Sequence, residues 1–191
     1  MRPQLGKDKI MQAAIQLFSK TGFHGTSISQ IAKAADVSKG LMYIYFESKE
    51  DLLLAIIEQA NEGMFEVAGA LTAPNNCSLE EYQKLLQQFL GQFAGLLGAN
   101  SDYLSFQLSL LYQPDLKPLV SGPLQKRAAH LLAVTEGIFR NADVAKPQLT
   151  ARRFMSELDG IALHHLSVFE DYPLTEMLEQ MFQHYKDLPN A

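Results

Sequence analysis

The chain contains no tryptophan and one cysteine, Cys77, in 191 residues. A lone thiol finds no partner within the chain, so an internal disulfide is excluded and a reducing compartment is expected. With no resolving thiol nearby, Cys77 reads as an ordinary loop or half-buried residue, not a redox sensor. No run of 18 apolar residues occurs and Met1 to Lys9 is polar, which argues against a membrane-spanning helix and a secretory leader. The expectation is a cytoplasmic protein that does not contact membrane. Charged residues are sparse at 19%, too few for a disordered chain, while 47% hydrophobic content is enough for a substantial core. Catalytic and metal-binding patterns are missing as well: there is no H-E-x-x-H, E-x-x-H, P-loop, G-x-S-x-G or cysteine-rich spacing. His164 and His165 are adjacent, so on a helix they diverge by about 100° and cannot chelate one metal together. No catalytic residue, metal or cofactor is expected, and a helical-bundle enzyme is set aside.

Net charge is −5, which taken alone speaks against nucleic acid. Its distribution reverses that. Residues 1–50 carry seven Lys/Arg and four Asp/Glu, a balance of +3, whereas residues 51–191 carry nine and seventeen, a balance of −8. A small basic module on an acidic body suits contact with DNA through one end.

Residues 22–51 supply the second line of argument. Ser27 with Gln30 forms a capping box that opens a short helix, and Ile28, Ile31 and Ala32 give it a buried stripe. Ala35, Asp36 and Val37 form a corner, where Asp tolerates the left-handed backbone such a turn needs. Ser38 caps a second short helix that runs to about Tyr45. Two short helices joined by a three-to-four-residue turn make a helix-turn-helix, whose second helix fits the DNA major groove.

At these residues the chain resembles the N-terminal domain of the TetR family of bacterial transcription regulators. The matching positions are Gly22 and Phe23, Thr26 and Ser27, Ile31 and Ala32, Ala35, Val37 and Ser38, Gly40, Tyr43, Phe46, Ser48 to Glu50, and Leu52. Asp36 departs from the family's turn glycine and Tyr45 from its frequent histidine. The resemblance implies phosphate contacts from Thr26, Tyr43 and Lys49. Free N–H groups at helix N-termini support Thr26, Ser27 and Lys49 in that role. On the second helix Lys39 can donate to guanine edges or phosphate, and Gly40 allows close backbone approach. Leu41 can meet a thymine methyl, and Tyr43 and Tyr45 complete the outward face, with Met42, Phe46 and Val37 plugging inward.

The rest of the chain reads as all-α, for about nine helices in total. A DNA-binding domain is expected over 1–47 and a ligand-binding and dimerisation domain over 48–191, with a long fourth helix, about 48–71, as connector. Helix 1 is expected over 7–21 with Gly22 as its stop. Ser78 and Glu81 open helix 5, which runs to about Gly98, and Asn100 to Asp102 restart the chain as helix 6, ending near Gln113. Pro118, Gly122 and Pro123 give an irregular entry to helix 7, which ends near Asn141. Helix 8 is expected over 147–169 and helix 9 over 174–187. Phe89, Phe93, Tyr103, Phe106, Gln107, Leu110 and Tyr112 are candidates to line an apolar pocket with a few polar anchors, although each also fits an ordinary core.

One helix-turn-helix makes too small a contact for useful specificity, so a homodimer reading an inverted-repeat operator in double-stranded DNA is expected. The resemblance implies that the last two helices of each subunit pair into a four-helix bundle. That nominates Leu158, Ile161, His165, Leu174, Leu178, Met181, Phe182 and Tyr185. The leading expectation is a repressor released by a small apolar or amphipathic effector. The alternative is a DNA-binding regulator without a small-molecule ligand, controlled by a protein partner or by abundance.

Overall fold

The structure, a computed structural model, describes residues 2–71, 73–99, 101–110 and 112–190, the side chains of residues 2–4, Val67 and Asn190 excepted. Among the described residues there are nine α-helices and no strand: α1 (Arg2–Gly25), α2 (Ile28–Ala34), α3 (Lys39–Tyr45), α4 (Lys49–Gly69), α5 (Leu79–Ala99), α6 (Ser101–Leu110), α7 (Lys117–Asn141), α8 (Pro147–Leu163) and α9 (Leu174–Tyr185). None of the described helices is long and apolar enough to cross a membrane.

Several boundaries differ from the sequence expectation, each for a local reason. α1 starts at Arg2 rather than near residue 7, and Gly22 breaks it from within at φ 74°, ψ 166°, a conformation that residues with a Cβ scarcely adopt. α7 begins at Lys117, so the entry expected to be irregular is helical. Pro118 falls in the first turn, where its missing N–H would have had no helical partner anyway. Pro123 lies inside the helix, and its carbonyl accepts a hydrogen bond from buried Asn61 Nδ2 at 3.0 Å. α8 ends at Leu163 and passes into one π-helical turn, His164–Val168, which closes where Phe169 N–H meets the His164 carbonyl at 3.0 Å. α6 ends at Leu110, earlier than expected. Asn100, expected at its start, lies outside the described residues.

The chain forms two compact units, Met1–Asn61 with Asp102–Leu124, and Glu62–Ser101 with Gln125–Ala191; the divisions fall within α4, α6 and α7. The first unit reaches beyond residue 47 because α6 supplies part of its core. The Phe106 ring stacks on Phe18 at 5.4 Å, and both join Ile10, Ala14, Phe23, Ile31, Met42, Leu52 and Ile56. The second unit is built round aromatic rings. Phe154 meets Tyr185 edge-on at 5.0 Å and Phe139 at 5.6 Å, and the Tyr82 hydroxyl donates to the Tyr185 carbonyl at 2.7 Å. That hydrogen bond satisfies a phenol that is otherwise fully buried. α5 opens on the expected capping box: Ser78 N–H donates to Glu81 Oε2 at 2.9 Å, and Glu81 N–H to Ser78 Oγ at 3.3 Å.

Candidate nucleic-acid interface

The first unit sets α3 in place through two caps and a corner. Ser27 Oγ accepts from Gln30 N–H at 3.3 Å, while Ser27 N–H and Oγ–H both donate to Gln30 Oε1 at 2.8 and 2.7 Å. Asp36 adopts φ 55° at the corner, as expected of a residue replacing glycine there. Val37 N–H returns to the Ala32 carbonyl at 3.0 Å and closes the turn. Ser38 Oγ then accepts from Leu41 N–H at 3.0 Å and starts α3. The two caps tie up N–H groups left unpaired at the starts of α2 and α3, and the Val37 contact pairs a carbonyl at the end of α2.

With Met42 and Phe46 buried, the opposite side of α3 faces out. Lys39 and Gly40 are exposed, Tyr43 is 50% exposed and Ile44 is 76% exposed. Leu41 is only half-buried. Tyr45, expected on the outward face, is instead half-buried and lies under α1, where a Cβ on Gly6 would come within 3.1 Å of its hydroxyl. Lys7 Nζ stands 5.8 Å from the Phe46 ring on the same side. Ile44 is an outward residue of α3 that the sequence expectation left out. The signal was available: two positions after inward Met42 is a rotation of about 200°, which points outward.

Two residues expected at phosphate face the interior. Thr26 is 2% exposed, and its hydroxyl lies 2.8 Å from the Gly22 carbonyl and 2.8 Å from Thr21 Oγ1. The Lys49 ammonium donates to the carbonyls of Phe23 and Thr26 at 2.7 and 2.8 Å and sits 4.3 Å above the Phe23 ring. The first residue of α4 thereby clamps the carbonyl ends between Gly22 and α2. Ser27 remains exposed at the N-terminus of α2.

The seven candidate pocket residues fall in both units. Tyr103, Phe106 and Leu110 belong to the core of the first unit. Buried Gln107 donates to Tyr103 Oη at 3.3 Å. Phe89 belongs to the core of the second unit, meeting Phe154 edge-on at 5.5 Å, and Phe93 packs against that core. Tyr112 is 76% exposed. The candidate dimer residues all belong to the second unit. Leu158, Ile161, Leu178, Met181 and Tyr185 are buried within their own unit, and His165, Leu174 and Phe182 are half-buried. Exposed apolar side chains near them are Val168 and Phe169, at 53% and 50%, and Met177. No group of His, Cys, Asp and Glu able to hold a metal ion occurs among the described residues.

Two short capped helices with an outward α3 define a helix-turn-helix protein. Residues 10–56 match the family model described as bacterial regulatory proteins, tetR family. Over 84 residues the chain is 37% identical to the "Probable HTH-type transcriptional regulator YttP" of Bacillus subtilis, a match covering 44% of this chain and 40% of that protein. Over 53 residues it is 49% identical to the HTH-type transcriptional regulator RutR of Escherichia coli K12, covering 28% and 25%. The chain thus spans less than half the length of these curated relatives. A crystal structure of a TetR transcription regulator from Haloarcula marismortui superposes with a TM-score of 0.75 over 97% of both chains at 19% identity, a likeness of fold alone. These likenesses make residues 10–56 a helix-turn-helix domain of the tetR-family kind.

Proposed function

We propose that the protein is a DNA-binding transcription regulator acting as a homodimer, a repressor that a small apolar or amphipathic effector releases from a palindromic operator. The observation that carries the DNA-binding part is the outward row of Lys39, Gly40, Tyr43 and Ile44 on a capped α3. In the major groove Lys39 donates to a guanine edge or phosphate and Ile44 packs on a thymine methyl. The Tyr43 hydroxyl reaches phosphate and fixes register without reading sequence. Exposed Val168, Phe169 and Met177, close to α8 and α9, support pairing of two copies through that end. A hundredfold release from DNA requires an effector to bind the released state about 2.7 kcal/mol more tightly than the bound one.

The test is selection of bound sequences from a random DNA pool by the purified protein at moderate salt. An enriched inverted repeat is expected, with a thymine whose preference weakens in Ile44→Ala. That substitution should lower affinity for the selected site about fivefold to tenfold, roughly 1 kcal/mol for one apolar contact, and leave binding to unrelated DNA unchanged. No enrichment at any salt would sink the DNA-binding reading. An Ile44→Ala protein with identical preferences would remove Ile44 from the interface.

A further inference from the structure

A protein that holds DNA must set cations against phosphates, and around α3 there are few to set. Lys39 is the only charged residue of α3 itself. The Lys49 ammonium is taken up by the carbonyls of Phe23 and Thr26. Of the other charges over residues 10–50, Lys20, Lys33 and Lys39 are exposed, and so are Asp36, Glu47 and Glu50, which leaves that surface without net charge. The +3 of residues 1–50 therefore comes mainly from residues 2–9, where Arg2, Lys7 and Lys9 stand against one acid, Asp8.

α1 begins at Arg2, ahead of the family-matched residues 10–56, and its first turns lie against the last turn of α3. A Cβ on Gly6 would come within 3.1 Å of the Tyr45 hydroxyl, and Lys7 Nζ stands 5.8 Å from the Phe46 ring. At about 100° per residue, Tyr45 and Leu41 are about 40° apart on α3, and Ile44 lies about 60° beyond Leu41 toward the exposed side. The start of α1 thus flanks the outward row on its Leu41–Ile44 side. Lys9 is exposed and three residues from Gly6, on the same side of α1, whereas Asp8 is rotated about 200° from Gly6. Packed helices run about 8–10 Å apart and the major groove is about 12 Å wide, so a helix beside the reading helix lies over the phosphate ridge that borders the groove. We propose that α1 supplies a second element of the DNA interface, in which the Lys9 ammonium donates to a backbone phosphate on the Leu41–Ile44 side of α3. Such a contact fixes how the module sits on the duplex and carries no sequence information. This flank rests on the DNA-binding reading above and extends it from α3 to α1.

The experiment measures the affinity of the full chain for the pool-selected duplex and for an unrelated duplex over a range of salt, in wild type, Lys9→Gln and Lys20→Gln. Lys20 is an exposed lysine of the same helix, about 16 Å further along it, and controls for the loss of charge alone. Lys9→Gln should flatten the slope of log affinity against log salt by about 0.9 for each subunit, on both duplexes. Its order of sequence preference and its melting temperature should match wild type, since the side chain is exposed and reads no base. Lys20→Gln should keep the wild-type slope. A wild-type slope in Lys9→Gln, equal flattening by Lys20→Gln, or a changed sequence preference in Lys9→Gln would each overturn the phosphate contact. Wild-type protein that binds neither duplex would refute DNA binding and the flank with it, whereas wild-type binding with an unchanged Lys9→Gln slope refutes the flank alone.

Discussion

Replacing Lys49 with methionine separates two roles for one residue. Its ammonium spans the Phe23 and Thr26 carbonyls at 2.7 and 2.8 Å and covers the Phe23 ring at 4.3 Å. A hydrogen bond from a charged donor contributes about 1.5–3 kcal/mol when well shielded, and a cation over an aromatic ring about 0.5–1 kcal/mol at an exposed site. Lys49 is half-buried, so solvent screens part of this, and methionine keeps the unbranched stem against the ring. The expected loss is about 2 kcal/mol. For a chain of this length melting as one, that is a fall of about 4–8 °C in melting temperature, with an earlier urea midpoint. The second measurement is the salt dependence of DNA binding. If Lys49 neutralised a phosphate in each subunit, its removal would flatten the slope of log affinity against log salt by about 0.9 per phosphate, whereas an internal clamp leaves the slope alone. Lys49→Met with wild-type melting and a flattened slope would refute the clamp and restore Lys49 to the phosphate face.

Two further perturbations test the frame around the sites. Gly22→Ala should destabilise by about 1–3 kcal/mol in urea titration, because φ 74°, ψ 166° strains any Cβ although nothing lies within 4 Å to clash with it; an unchanged midpoint would show that the break relaxes freely. Burial, aided by the charges of Tyr185 and Asp187, raises the Tyr82 phenol above its ordinary value of 10.0. The unfolded chain therefore releases that proton first, and stability present below pH 10 declines as pH climbs past it. Tyr82→Phe, lacking the 2.7 Å bond to Tyr185, should be about 1 kcal/mol less stable at neutral pH and should lose less on going alkaline; an alkaline loss equal to wild type would acquit Tyr82.

Local chemistry was the most legible part of the sequence. The Ser27–Gln30 and Ser78–Glu81 boxes, the left-handed Asp36 and the inward Met42 and Phe46 each follow from a few neighbouring residues. What failed depended on distant partners. Thr26 and Lys49 stand at family-matching positions, but a shared residue type does not say whether its polar atom faces water or the backbone of the next helix. Phe89 and Phe106 have the same apolar character at the same helical spacing, yet they enter different cores, because periodicity marks a buried face without naming what buries it. Pro123 looked like a helix breaker, and its place inside α7 goes with a donor, Asn61, 62 residues away. Ile44 was a different kind of miss, since the rotation from Met42 already pointed it outward.

The makeup of α3 sets how its contacts respond to the surroundings. Of its seven residues only Lys39 carries a charge, beside an exposed phenol and a branched alkyl group. Discrimination built on dehydrating methyl groups is nearly indifferent to counterions but carries a heat-capacity signature. Changes in ionic strength would then raise or lower occupancy of all target sites together while hardly altering their order of preference. Temperature, acting on the hydration of Ile44 and of the thymine proposed to face it, is the variable that would reshuffle that order.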